Sequence, residues 1–209
     1  MNLTSKRKVL KKIYSPLTIV LAKIGITPNQ ISIIALLLGI LSAYLYIANN
    51  FLLASLLLLF SGLFDLMDGD VAVKTVKTTK FGAVFDWVSD KIVDTLVIGA
   101  IGLTYANPYL TIFAIMGSLI NTFVKPVAYS EIGYDSRVKG KIESPLEGIG
   151  IFGRPETFIT IIIFSILHYF NFLGIINLYL GIIIITVFTN ISLLQRLIYL
   201  YRRYNIQDI

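Results

Sequence analysis

Six aspartates, Asp65, Asp68, Asp70, Asp86, Asp90 and Asp94, fall within thirty residues of a chain that has only twelve acidic residues in all. They lie in or beside apolar sequence, where a carboxylate carried on a membrane helix costs about 2.5–3.5 kcal/mol. Several together therefore require a compensating partner. On a helix, the spacing of three puts Asp65 and Asp68 on one face, and the spacing of four does the same for Asp86, Asp90 and Asp94. If two such helices pack antiparallel across a short turn, the two rows converge. Carboxylates ~4 Å apart repel by ~4 kcal/mol at an effective dielectric of 20, so a cation is expected between them. Oxygen ligands favour magnesium, manganese or calcium, and magnesium suits a site that must also take a diphosphate. Pairing with Lys74, Lys77, Lys80 and Lys91, or reaching to the interface, explains any single aspartate but not four at these spacings. Asp70 and Asp94 stay open: solvation suits the first and a place behind the metal ligands the second.

The elements that must carry these side chains are apolar helices. With 209 residues, 56% hydrophobic, 14% charged and a mean hydropathy of +0.80, the chain is neither disordered nor an ordinary soluble domain. Cysteine is absent, which excludes disulfides and thiolate chemistry, and the lone His168 excludes any site needing two imidazoles. Long apolar runs predict six membrane spans at about 31–48, 51–67, 81–103, 110–128, 157–169 and 172–194. Lysine and arginine cluster before the first span, between spans two and three, between four and five, and after the sixth; the other loops have none. Both termini and the aspartates are thus expected on the cytoplasmic face of the cell membrane. The formal charge of +6 belongs to that face, beside membrane lipid and phosphorylated metabolites, and nucleic acid is not an expected partner.

Before the first span, Val9, Leu10, Ile13, Leu17, Val20, Leu21 and Ile24 recur at helical spacing among lysines. This predicts an interfacial helix bent or interrupted at Pro16. Thr27 is the expected N-cap of the next helix and Pro28 its first residue. No repeat or long linker appears. The expectation is one all-α polytopic domain over 1–209, with an interfacial amphipathic helix in 1–27 and six transmembrane helices in 28–209.

Asp65-Leu-Met-Asp68-Gly69-Asp-Val-Ala72-Val73, followed at fixed intervals by Gly82, Asp86 and Asp90, resembles the CDP-alcohol phosphotransferase signature D-x2-D-G-x2-A-R-x8-G-x3-D-x3-D. Seven of its eight fixed positions are met. The resemblance implies a six-helix membrane fold behind an interfacial helix, usually dimeric, and a phospholipid-synthesis transferase. It further implies that Asp65, Asp68 and Asp86 ligate Mg2+ (or Mn2+), with Asp90 as base and a possible further ligand. Asp65, Asp68, Gly69, Ala72 and Gly82 would meet the CDP-lipid, the small residues letting it approach the backbone. An alcohol oxygen would attack the lipid-side phosphorus and release CMP. The signature arginine is Val73 here; Lys74 is the neighbouring candidate for its diphosphate contact, but it points about 100° away and would need local unwinding.

Three cations bear on the acceptor. Phe123-Val-Lys125, Gly153-Arg154-Pro155-Glu156 and Leu194-Gln195-Arg196 look like segments of the phosphatidylinositol-phosphate and archaetidylinositol-phosphate synthases. In that subgroup the matching lysine and two arginines hold inositol phosphate. Val127 departs from the subgroup, where an arginine is expected. Inositol phosphate is therefore the expected acceptor, with glycerol 3-phosphate and then serine as alternatives, and CDP-diacylglycerol or CDP-archaeol as the lipid donor. Arg137, Lys139 and Lys141 sit in a Gly-rich loop that is either solvated or a lid. A divalent-cation transporter would also carry aspartates in its helices, but it would spread them through the membrane instead of crowding them at one surface.

Overall fold

The computed structural model describes residues 7–75, 79–132, 137–138, 141–142, 146, 148–171 and 177–204. Among them run seven α-helices: α1 (Arg7–Ile24), α2 (Pro28–Ile47), α3 (Phe51–Thr75), α4 (Lys80–Tyr105), α5 (Pro108–Ile132), α6 (Arg154–Tyr169) and α7 (Leu178–Tyr204). A two-residue antiparallel ladder, β1 (Arg137–Val138) on β2 (Lys141–Ile142), interrupts the α5–α6 connection. Lys139, part of the lid expectation, lies outside the described residues.

Helix starts follow local chemistry. Thr27 caps α2, its hydroxyl accepting from the Gln30 N–H while the Gln30 side chain accepts from the Thr27 N–H at 2.9 Å, and Pro28 opens the helix as expected. The Thr79 hydroxyl caps α4 by accepting from the Gly82 N–H at 2.9 Å. At α6, Glu156 accepts from the Gly153 N–H at 2.9 Å, which fixes Arg154 at the first helical position.

α2, α3, α5 and α7 are long and apolar enough to cross a membrane. α4 carries too many charged residues to qualify on composition, and the 16 residues of α6 reach only about 24 Å, short of a ~30 Å hydrocarbon core. Large apolar side chains such as Leu37, Leu103, Phe113 and Leu194 point outward from the bundle, the reverse of a soluble protein.

Inside, α2 packs on α3 and α4, α3 also meets α6, and α5 lies along α7. The shared core includes Tyr46, Leu58, Val97, Ile101, Ile161 and Ile185. Gly39 permits a close approach: a Cβ there would lie 2.5 Å from Val93 Cγ2, so α2 and α4 touch almost backbone to side chain. α1 runs through Pro16 without interruption, so of the expected bend or break the break does not occur. Its ring is exposed, and Tyr14 and Thr18 on either side are buried against the bundle, so tertiary docking compensates for one missing backbone hydrogen bond.

Candidate metal centre and its two cavities

Extending two turns beyond the expected end of the second span, α3 keeps Asp65, Asp68 and Asp70 in one continuous helix. α4 presents Asp86, Asp90 and Asp94 from the facing side. The rows converge: one carboxylate oxygen from each of Asp65, Asp68 and Asp86 lies within 4.8 Å of the other two. Ser32 on α2 donates to Asp68 Oδ2 at 2.5 Å, fixing that carboxylate from behind.

Arg154 inserts beside this triplet. Its Nη1 lies 2.6 Å from Asp65 Oδ2 and 2.6 Å from Asp90 Oδ1, its Nε donates to Asp94 Oδ1 at 3.0 Å, and its guanidinium lies 4.9 Å from the Phe158 ring centroid. Asp90 thus stands next to the triplet, on the guanidinium. Of the three aspartates that share this guanidinium only Asp65 belongs to the Asp65–Asp68–Asp86 triplet. Hard oxygen donors at this spacing fit a divalent cation.

Two cavities meet at the triplet. The larger, about 470 Å³, is bordered by Asp65, Asp86 and Asp90 together with Lys91, Lys125, Arg154 and Arg196. The smaller, about 190 Å³, is walled by Asp68, Gly69, Ala72, Val73, Gly82 and Asp86. Asp86 borders both. The small residues of the signature therefore line one chamber, the three expected cations line the other, and the carboxylates stand between.

Two placements differ from the sequence expectation. Asp70 is not solvated: it is 5% exposed and lies 2.6 Å from Lys11 Nζ, 2.8 Å from Lys74 Nζ and 2.7 Å from Thr18 Oγ1. Lys74 follows it. No unwinding occurs, and its ammonium turns to α1, donating to the Ser15 carbonyl at 3.1 Å and to Thr18 Oγ1 at 2.5 Å, away from the lining of the smaller cavity. The reason is competition: a buried carboxylate one turn back is a stronger local partner than a distant chamber. Lys74→Ala should accordingly leave the KM for a CDP-lipid within about twofold while lowering stability by about 1–3 kcal/mol, read by thermal unfolding in detergent.

Arg196 reaches the larger cavity, but its donors are partly committed. It is buried, with Nε on the Ile149 carbonyl at 3.1 Å and Nη1 on the Asn121 carbonyl. Ser192, which accepts from the Phe152 N–H at 3.2 Å, helps it pin the segment ahead of α6. Ser32 and Thr122 also join the site without having been expected there, through Asp68 on α3 and Lys91 on α4, contacts between helices that no spacing argument reaches. Lys91, expected only as a partner of the aspartates, pairs with Asp94 on its own helix and borders the larger cavity as well. His168 packs edge-on to Phe51 and Tyr105 at the other end of the bundle, where it has no part in this chemistry.

The sequence profile of the CDP-alcohol phosphatidyltransferase family matches residues 25–192. The chain belongs to this family. Family membership makes the protein a membrane transferase, and the cation-transporter alternative falls away. An archaetidylinositol phosphate synthase of Pyrococcus horikoshii is 30% identical over 193 residues, covering 90% of this chain and 93% of that one. A phosphatidylinositol phosphate synthase of Corynebacterium glutamicum is 30% identical over 154 residues, covering 73% and 68%. The fold matches that of Mycobacterium tuberculosis phosphatidylinositol phosphate synthase with CDP-DAG bound, at a TM-score of 0.73 and 23% identity over 95% of this chain and 98% of that one. The same enzyme in complex with manganese and citrate gives a TM-score of 0.72 at 22% identity.

Proposed function

We propose that this protein transfers the lipid phosphoryl group of a CDP-activated lipid to a hydroxyl of inositol phosphate and releases CMP, working as a single domain. The observation that carries the reading is the division of labour around Asp86: a chamber lined by small residues on one side and one lined by cations on the other. The CDP group fits the first, since Gly69, Ala72 and Gly82 expose backbone where a side chain would intrude. The cations of the second suit an acceptor that itself carries a phosphate, because arginine meets phosphate oxygens with paired donors. The names of the curated relatives point to the same acceptor.

Asp65, Asp68 and Asp86 would hold Mg2+ or Mn2+, which when bound would supply positive charge to offset that of the diphosphate and of the leaving CMP. Asp90 borders the acceptor chamber and takes the proton of the attacking hydroxyl as the new oxygen–phosphorus bond forms and the bond to CMP breaks. Arg154 and Lys125 orient the acceptor phosphate; Arg196 shapes the chamber wall and offers its remaining donors. For the membrane, α4 and α6 would complete six spans, with α1 in the cytoplasmic interface. A homodimer follows the family habit.

Gly82→Ala tests the smaller chamber. The added Cβ would lie 2.9 Å from both Asn29 Oδ1 and Thr79 Oγ1 and force them into the chamber or off the helix cap. The expected result is a roughly tenfold rise in the KM for CDP-diacylglycerol with little change for the acceptor. The acceptor itself is tested by CMP release in detergent, with magnesium and CDP-diacylglycerol or CDP-archaeol, across inositol phosphate, glycerol 3-phosphate and serine. Release with inositol phosphate alone is expected; release with serine but neither phosphorylated alcohol would refute the reading.

A further inference from the structure

Asp94 is the member of the α4 row to which the proposed reaction gives no task. It is 2% exposed and does not border either large cavity, yet both of its oxygens are engaged. Oδ1 accepts from Arg154 Nε at 3.0 Å, and Oδ2 accepts from Lys91 Nζ at 2.6 Å. Lys91 in turn donates to Thr122 Oγ1 on α5 at 3.2 Å. Arg154, Lys91 and Thr122 all border the larger cavity. One carboxylate behind the wall therefore ties together cations from α4 and α6, with α5 joined through Lys91.

We propose that Asp94 is a positioning residue for acceptor binding, and that Lys91 is a further cation of the acceptor site. The argument is a competition for one guanidinium. Nη1 of Arg154 already lies 2.6 Å from both Asp65 and Asp90, so without a third anchor the whole group is free to settle against those two carboxylates. Asp94 holds the Nε edge instead, fixing the plane of the guanidinium and the direction of its terminal donors. An ordinary i,i+3 pair on an exposed helix does no more than lend a few tenths of a kcal/mol. This one is different because Asp94 is buried and its second oxygen serves a cation on another helix. By the same bond Lys91 is held at the cavity wall as a point charge suited to a phosphate oxygen.

The inference rests on the larger cavity being the acceptor chamber, and its test separates the two. In the full-length protein in detergent, Asp94→Asn, Lys91→Met, Arg154→Ala and the double variant Asp94→Asn/Arg154→Ala are compared for the KM of inositol phosphate, the KM of CDP-diacylglycerol, and Mn2+ affinity by electron paramagnetic resonance. Asp94→Asn should raise the inositol phosphate KM about tenfold, as expected for loss of a charge-assisted hydrogen bond, with Mn2+ affinity and the CDP-lipid KM within about twofold. Lys91→Met should raise the same KM, and Asp94→Asn should add less on top of Arg154→Ala than it does alone, the remainder acting through Lys91. An unchanged KM in Asp94→Asn while Arg154→Ala raises it would overturn the proposal, as would a parallel fall in Mn2+ affinity. An unchanged KM in Arg154→Ala would overturn the chamber reading itself. Should Asp94→Asn not fold, Asp94→Glu moves the charge by one methylene; a raised acceptor KM at constant Mn2+ affinity supports the inference and an unchanged KM refutes it.

Discussion

Asp86→Ala is expected to abolish measurable CMP release and to weaken Mn2+ binding by more than about a hundredfold while leaving the helix bundle folded. The loss exceeds the 10–100-fold that follows removal of an outer-shell partner, because Asp86 supplies one of three convergent carboxylates. Its position on the border of both cavities adds to the effect, since the same side chain separates and aligns the two substrates. Folding should survive because the substitution removes one of several mutually repelling charges. Circular dichroism and Mn2+ titration on the same detergent sample distinguish the outcomes. A variant that binds Mn2+ normally would show that the ion sits elsewhere.

Asp90→Asn should act differently. The amide keeps the shape of the carboxylate, so both substrates and the ion should still bind, with KM values and Mn2+ affinity changed only a few-fold. Turnover should fall by about 10²–10⁴-fold, the range for loss of a positioned general base. Arg154 retains Asp65 and Asp94 as partners, so the acceptor chamber should not collapse. A loss in Mn2+ affinity as large as that of Asp86→Ala would make Asp90 a principal ligand instead of the base.

These two residues could be singled out from the sequence because their information is local. Spacings of three and four fix a helix face, but among the described residues the expected direct packing of the two helices does not occur: α2 packs against both α3 and α4 and brings the faces together. The gathering of Lys125, Arg154 and Arg196 around one chamber came from resemblance alone; no periodicity links residues on three different helices. Asp70 shows why solvation was the wrong expectation. Its partners Lys11 and Thr18 are on α1, more than fifty positions away, and only the docking of that helix through Tyr14 onto Ile31, Met67 and Val71 brings them to it. The same docking takes Lys74 out of contention for the place left by Val73 and carries α1 past Pro16. Ser32, buried behind Asp68, left no mark in the sequence because a serine three residues after Asn29 in an apolar helix could as well satisfy its own helix carbonyl, and here it also lies 3.2 Å from that of Pro28.

The spans were less legible at their ends than at their centres. α3 and α7 run past the apolar segments into charged sequence, because a helix can continue beyond the apolar stretch as long as its polar side chains find partners or water. α4 is the clearest case: its carboxylates lower its hydropathy, yet they face those of α3 across the candidate metal site while α2 packs against both helices.

The account depends on a divalent ion held by carboxylates of both α3 and α4. The most direct test is anomalous diffraction from crystals of the protein soaked with manganese. Density is predicted about 2.0–2.6 Å from oxygens of Asp65, Asp68 and Asp86 together, between the two cavities. Manganese bound only at other sites, with those three side chains unliganded, would contradict it.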